Sequence, residues 1–211
     1  MLATTARQYY EGQQQPEAEA SEPEATTPRV LLMLAAILER QVARNELILV
    51  ERSTNSLNEV INLKVFNGVR APNISIAKYL DRLYKYTKCS PSCFVVAYVY
   101  IDRLIHRHPE LLLISINVHR LVLTSVMIAC KMLDDVQYNN AFYAKVGGIS
   151  NTELNRLELE LLFLLDFEVV VSSPVFQSYC WYLEKEDRRI NATLRIDQPL
   201  AFDIKDDLNS I

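Results

Sequence analysis

The chain has 211 residues and a mass of 24.3 kDa; 50% of its residues are hydrophobic and only 4 are glycine. That size fits one compact domain with tails, able to bury about two thirds of its unfolded surface without a disulfide or metal staple. With 22 Lys and Arg against 26 Asp and Glu the net charge is -4, which argues against a direct grip on nucleic-acid phosphates.

The N-terminus has no basic start followed by an apolar stretch, so an intracellular protein, nuclear and/or cytoplasmic and not secreted, is expected. The Asn73-Ile74-Ser75 and Asn191-Ala192-Thr193 sequons then carry no meaning. Residues 1–28 form an expected disordered arm, since Glu11 to Pro28 is rich in Gln, Glu, Pro, Ala and Thr with almost nothing to bury. From Val30 to Ser53 the residues Leu31, Leu34, Ile37, Leu38, Val42, Leu47 and Leu49 recur at spacings near 3 and 4, which predicts an amphipathic helix. This helix and a linker fill 30–66, with a hinge at Asn67-Gly68 and Ala71-Pro72.

A series of capped helices follows over 73–185. Asn73 or Ser75 starts one with Ile76, Leu80 and Leu83 on a single face. Ser90-Pro91 is a cap followed by proline at the first helical position, Asn117 can cap the next helix, and Ser150-Asn151-Thr152-Glu153 is a capping box. Ser173-Pro174 repeats the cap-plus-proline device. His108-Pro109 and Gly147-Gly148 end helices, and Val169 to Ser172 is extended linker. The count is five helices between Asn73 and Phe167, one before and one after. Residues 186–211, mostly polar with Asp203, Asp206 and Asp207, read as a mobile tail.

Phe94 to Ile101, Leu121 to Leu133 and Leu161 to Leu165 are apolar nearly all the way round. A helix of that kind on the surface strands apolar side chains in water, so all three are expected to be enclosed by neighbours in a compact all-α domain. No apolar run reaches the ~20 residues that span a bilayer. No self-similarity marks a superhelical repeat.

Lys131 is the only charged residue between Arg120 and Asp134. Either it serves the negative end of its helix, with Asp134 and Asp135 three and four residues on, or it pairs with a functional carboxylate elsewhere. Glu158 and Glu160 lie about 200° apart round one helix, so they face different ways. Glu160 can pair with Arg156, whereas Glu158 has no cation three or four residues away, which makes Glu158 the candidate for an external partner. Cys89, Cys93, Cys130 and Cys180 have neither zinc-ribbon spacing nor histidines at His-x3-His, so buried thiols and no metal site are expected.

Asp134-Asp135-Val136-Gln137-Tyr138 resembles the magnesium-binding loops of all-helical terpene and prenyl synthases, but Tyr138 stands where a carboxylate is expected and no second metal motif follows. His106, His108 and His119 have no nucleophile motif beside them, and there is no glycine-rich phosphate loop. No catalytic residue, cofactor or small-molecule substrate is therefore expected.

Several blocks, in order, carry a resemblance. They are Tyr79-Leu80-Asp81-Arg82-Leu83, Tyr86-Thr87-Lys88-Cys89-Ser90, Tyr100-Ile101-Asp102-Arg103-Leu104 and Asn117-Val118-His119-Arg120-Leu121. Lys131-Met132-Leu133-Asp134-Asp135, Tyr138-Asn139-Asn140, Lys145-Val146-Gly147-Gly148-Ile149, Leu157-Glu158 and Leu164-Leu165-Asp166-Phe167 follow. From Asn73 to Tyr182 the chain resembles the cyclin box, specifically the plant P-type (U-type) cyclins and the related yeast phosphate-response cyclin family.

The resemblance implies a single box of five helices, with an additional N-terminal helix and a following helix, that binds and activates a cyclin-dependent serine/threonine kinase in cell-cycle or phosphate signalling. It implies that Lys131 and Glu158 engage the kinase near its movable C-helix; helix geometry adds Leu162, one turn after Glu158, as an apolar contact. Asp102 matches an aspartate that in the family pairs with an arginine of the first box helix. Here Asn73-Ile74-Ser75-Ile76-Ala77 replaces the Met-Arg-x-Ile-Leu motif, so Asp102 must find another cation, Arg103 or His106. Substrate docking through that motif is not expected. The chain is also expected to have no room for a second five-helix repeat. The helix of 30–53 has two placements open, on the box or against the kinase. The alternative function is a cyclin-fold transcription or nucleic-acid-binding factor, which the charge of -4 disfavours.

Overall fold

The computed structural model describes residues 27–55, 65–135 and 138–196. Seven helices are present: α1 (Arg29–Asn55), α2 (Ile76–Thr87), α3 (Pro91–Arg107), α4 (Val118–Leu133), α5 (Asn140–Gly147), α6 (Asn151–Leu164) and α7 (Ser173–Ile196). Five lie between Asn73 and Phe167, as expected, and no strand occurs among the described residues. The arm expected over 1–28 falls outside the described residues up to position 26.

The helix starts follow their caps. Ser75 Oγ accepts the Lys78 amide, Ser90 Oγ that of Ser92, Asn139 Oδ1 that of Phe142, and Ser150 Oγ that of Glu153. Each satisfies an amide that a helix N-terminus leaves without an intrahelical partner. Glu153 does not complete its box; its carboxylate instead takes Arg120 Nε of α4 at 2.7 Å. Asn117 also departs from expectation. Its side chain turns back, with Oδ1 accepting from the Ile114 amide at 2.9 Å and Nδ2 donating to the Leu112 carbonyl at 3.0 Å, and makes no cap bond to α4. At Ser173-Pro174, α7 already includes Ser173, the residue assigned as its cap.

α3 and α4 pack on one another at the centre. Every residue from Phe94 to Ile101 and from Leu121 to Cys130 is buried, which is the enclosure their all-round hydrophobicity requires. α1 and α7 cover α3, while α2, α5 and α6 cover α4. The third apolar run behaves differently: Leu161 and Leu165 are fully buried, but Phe163 is 64% exposed. α6 therefore keeps an apolar stripe facing outward.

α1 packs on the box. Leu31, Leu34, Ile37, Leu38 and Val42 enter the core, and Leu34 and Leu38 meet Leu80, Phe94, Ile101 and Val126. Polar bonds fix its pose: Asn45 donates to the Leu113 carbonyl at 2.9 Å, and Glu46 accepts the Ser115 amide at 3.1 Å. The linker that follows is anchored too. Phe66 is completely buried, and the Gly68 amide donates to the Ile116 carbonyl at 2.8 Å, so the expected hinge is tied to the α3–α4 connection.

The tail expected over 186–211 is corrected, because α7 continues through 186–196 as helix. Its polar residues are used for docking. Glu186 bonds Arg40 of α1 at 3.3 Å and Arg189 at 2.8 Å, and Asp187 bonds Arg29 at 2.5 Å. Glu186 is only 8% exposed, and a carboxylate so placed needs its two guanidinium partners. Residues 197–211 lie outside the described residues.

Buried His119 joins the start of α4 to the segment before α2. Its Nε2–H donates to the Ile74 carbonyl at 2.9 Å, and its ring meets Tyr79 edge-on at 4.9 Å. Burial pulls its pKa below 6.5; the Ile74 carbonyl opposes that and Arg120 adds to it. The unfolded chain therefore takes up a proton near pH 6.5 that the folded one refuses. Stability is complete above that pH and falls as pH drops through the window below it. Urea unfolding of wild type should show this loss as the pH falls below 6.5, and His119→Gln should flatten it. The same assay should find Leu38→Ala about 2–4 kcal/mol less stable, whereas exposed Leu47→Ala should lie within about 0.5 kcal/mol of wild type.

Candidate protein-interaction face

Lys131 occupies the last turn of α4, where a cation is favoured by the carbonyl-rich helix end. Its Nζ donates to Glu158 Oε1 of α6 at 2.6 Å. The other carboxylate oxygen, Oε2, accepts Asn140 Nδ2 at 2.6 Å, and Asn140 Nδ2 also reaches Asn155 Oδ1 at 2.7 Å. Glu158 thus links α4, α5 and α6. Lys131 thus has a carboxylate partner on another helix, and Glu158, without a cation on its own helix, takes one from 27 residues away in the folded chain. Both side chains keep an edge in water, at 30% and 18% exposure. A pair so placed contributes on the order of 1 kcal/mol or less. Arg156 and Glu160, by contrast, form no ion pair with one another within 4.0 Å.

Beyond the asparagines that contact this pair, α6 and the end of α4 also expose apolar side chains. Leu162, one turn after Glu158, is half-buried against the core. Leu159 and Phe163 form the neighbouring stripe of α6 and are exposed, as are Met132 and Leu133 at the end of α4. Phe167 joins the stripe, its ring edge-on to Phe163 at 5.1 Å. It is placed there by a tight turn in which Asp166 and Phe167 both have positive φ, 50° and 58°. Left-handed backbone is unfavourable for side chains such as these and persists only where the surroundings hold it. α3 does the holding: Arg107 donates to the Leu165 carbonyl and bonds Asp166 and Glu168, Arg103 donates to the carbonyls of Glu168 and Val170, and the Tyr100 hydroxyl donates to that of Val169 at 2.7 Å.

Asp102 lies beside one of its expected partners, His106, and gains another that was not expected. The Tyr179 hydroxyl of α7 donates to its Oδ2 at 2.6 Å. His106 Nδ1 is 3.4 Å from the same oxygen and 2.8 Å from the Asp102 carbonyl, while Arg103 is spent on the α6–α7 turn. Burial, followed by the bond to Asp102, pushes the Tyr179 phenol well above its ordinary value of 10. A phenol 77 residues downstream left no signal in the spacing.

The cysteines also come together in a way their spacing hid. Cys89, Cys93, Cys130 and Asp134 place one donor atom each within 4.8 Å of one another. In this buried, mutually coupled set the neighbouring Cys130 and Cys93 thiols lower the pKa of Cys89, and the Cys89 thiol raises that of Cys130. Cys180 stands apart on α7.

Seven helices with an enclosed central pair and no strand among the described residues are the architecture of a cyclin fold. Residues 28–169 match the cyclin family profile, so the match takes in α1. The sequence is 63% identical to Cyclin-U1-1 of Arabidopsis thaliana over 166 residues, which is 79% of this chain and 77% of that one. It is 49% identical to Cyclin-P3-1 of Oryza sativa subsp. japonica over 173 residues, covering 82% and 69%. Cyclin-U4-1 of Arabidopsis thaliana is 50% identical over 158 residues, covering 75% and 76%. The chain belongs to the cyclin family, beside the plant cyclins of the P and U types. Membership supports a regulatory role toward cyclin-dependent kinases. No helix among the described residues is long and apolar enough to cross a membrane.

Tyr179→Phe removes the donor on Asp102 without changing the ring. A loss of about 1–2 kcal/mol is expected, because a half-buried carboxylate is left short of a partner. Denaturant unfolding of the two proteins reads it, and an unchanged midpoint would mean that His106 suffices.

Proposed function

We propose that this chain binds a cyclin-dependent serine/threonine kinase through the face built on Lys131, Glu158 and Leu162, and thereby activates it. The observation that carries the reading is the Lys131–Glu158 bridge set beside the exposed apolar side chains of α6 and the end of α4. An outward stripe of Leu159, Phe163 and Phe167 on an otherwise well-packed domain is what a docking surface for another protein looks like. The kinase's C-helix is the part that must be held so that its catalytic Lys and Glu stay paired for phosphoryl transfer.

Energetics divide the labour on that face. Moving a kinase from mostly inactive to mostly active takes about 5.5 kcal/mol of differential binding. One partly exposed ion pair at ~1 kcal/mol falls far short. Burying two or three large apolar side chains at about 1.5–3 kcal/mol each covers the difference. The apolar residues thus supply affinity, and Lys131 and Glu158 supply orientation.

The kinase acts in cell division or in nutrient signalling, phosphate included, inside the cell in nucleus and/or cytoplasm. Its substrates dock elsewhere than on α2, whose Ile76, Tyr79, Leu80 and Leu83 all face the core. The nucleic-acid-binding alternative is not favoured, given the family match and a charge of -4. Nor is a magnesium enzyme at Asp134 and Asp135. Among the described residues Asp134 clusters with thiols rather than carboxylates, and Asp135 joins no such cluster.

The internal bridge makes a clean test available. Lys131→Glu or Glu158→Lys alone sets like charges together and costs on the order of 1 kcal/mol. The double swap restores an ion pair while reversing the polarity shown to a partner. Against a panel of cyclin-dependent kinases, wild type should co-purify with and activate at least one. Both single variants and the folded double swap should lose activation, as should Phe163→Glu, with circular dichroism unchanged. If wild type captures no kinase, the proposed function is wrong; if the double swap activates like wild type, these two charges do not face the kinase.

A further inference from the structure

Three buried thiols and one carboxylate meet where the α2–α3 connection touches the end of α4. Cys89 lies between the last turn of α2 and the Ser90 cap, Cys93 is in the first turn of α3, Cys130 in the last turn of α4, and Asp134 is the residue that caps α4. We propose that Cys89, Cys93, Cys130 and Asp134 form a zinc site.

The geometry is close to what the ion requires. Tetrahedral zinc, with bonds of about 2.3 Å to sulfur and 2.0–2.2 Å to oxygen, sets its donors roughly 3.5–3.8 Å apart. Here the four donor atoms all lie within 4.8 Å of one another, so closure needs inward movement of about 1 Å, within the reach of side-chain torsions. The donor chemistry selects the ion: magnesium and calcium want oxygen throughout, and copper(I) wants only soft ligands, whereas zinc takes thiolate and carboxylate together. The spacing fits as well. Cys89-x3-Cys93 falls within the Cys-x2–4-Cys range of structural zinc sites, and Cys130-x3-Asp134 puts a second pair one helical turn apart. A search for two Cys-x2-Cys pairs passes over this arrangement.

Asp134 supplies an independent reason. It lies between the carbonyl end of α4, where the helix dipole disfavours an anion, and the amide-rich start of α3, where one is favoured. The Ser90 amide reaches its Oδ2 only at 3.4 Å. A divalent cation beside it adds a bond that this long contact does not supply. Packing alone accounts for a buried thiol as a small apolar side chain, but not for a carboxylate aimed at three of them. A disulfide would consume two sulfurs and leave the third and the carboxylate unexplained. An outer neighbour is in place: the Thr87 hydroxyl is 3.1 Å from Cys89 Sγ.

Binding involves no change of oxidation state. Zinc(II) takes three thiolates and one carboxylate, and the protons lost by the thiols pass to solvent. The ion pins the last turn of α4, and Lys131 is the residue after Cys130. The site stands or falls without reference to any kinase.

The full chain, reduced and handled without oxygen, is titrated with zinc(II) and, as a spectroscopic probe, with cobalt(II). One equivalent should bind, cobalt should give tetrahedral visible bands with thiolate-to-metal charge transfer, and zinc should raise the thermal midpoint. Cys130→Ser should abolish the charge-transfer spectrum. Asp134→Asn, at the protein surface and expected to stay folded, should weaken zinc at least ~10-fold. Cys180→Ser should bind like wild type. Less than about a tenth of an equivalent bound by folded, reduced wild type overturns the proposal. So does a cobalt spectrum without charge transfer, or an Asp134→Asn affinity equal to wild type.

Discussion

The enclosure of α3 and α4 is the constraint from which the rest of the molecule follows. Phe94–Ile101 and Leu121–Cys130 offer no polar face, so water cannot border them on any side. Two helices in contact cover only a strip of one another. α1 and α7 are therefore needed on α3, and α2, α5 and α6 on α4. One polar group inside is accommodated locally, where the Thr124 hydroxyl donates to the Arg120 carbonyl one turn back at 2.8 Å, whereas the buried Ser125 hydroxyl has no hydrogen-bond partner among the described residues. The seam is tight enough that a side chain at Gly147, where α5 meets α4, would place its Cβ 2.2 Å from Leu123.

A covering helix needs only one apolar face, and α6 has more than one. Leu154, Leu157, Leu161 and Leu165 complete the cover of the core, so Leu159 and Phe163 are surplus to folding. The turn that follows adds Phe167 to the same stripe, at the expense of two consecutive left-handed residues worth about 1–3 kcal/mol each. Arg103, Arg107 and Tyr100 of α3 hold the carbonyls of that turn. The central helix thus enforces a surface that folding alone does not require, which is the physical basis for assigning this face to a partner.

Much of this architecture was legible in local chemistry. Ser75, Ser90 and Ser150 marked helix starts because a hydroxyl there meets an amide with no other partner. Gly148 marked an end because α5 closes on a residue with φ of 76°. What remained hidden depended on distant partners. Glu186 and Asp187 read as a solvated tail until Arg40 and Arg29, far back in the chain, turned them into a docking edge. Asn117 looked like a cap, but Ile114 and Leu112 offered it bonds. Lys131 and Glu158 stood out singly as a lone cation and a carboxylate without a local partner; their resemblance to a family paired them in role, and only the fold paired them in space. Tyr179 gave no sign at all, because a phenol is ordinary on an amphipathic helix.

The end of α4 gathers these themes within five residues. Cys130 faces inward to two other thiols, Lys131 bridges to Glu158, Met132 and Leu133 are exposed, and Asp134 turns toward the start of α3. A helix end is a natural place for such concentration, since its last carbonyls favour cations and its last turn is free of further helix on one side. Lys131 answers that preference and Asp134 opposes it. The position of the proposed interaction face therefore depends on how this single turn is held, from α6 through Glu158 and from the α2–α3 connection through the cysteines. Anything that tightens the second contact also fixes the direction in which Lys131 and its apolar neighbours are presented.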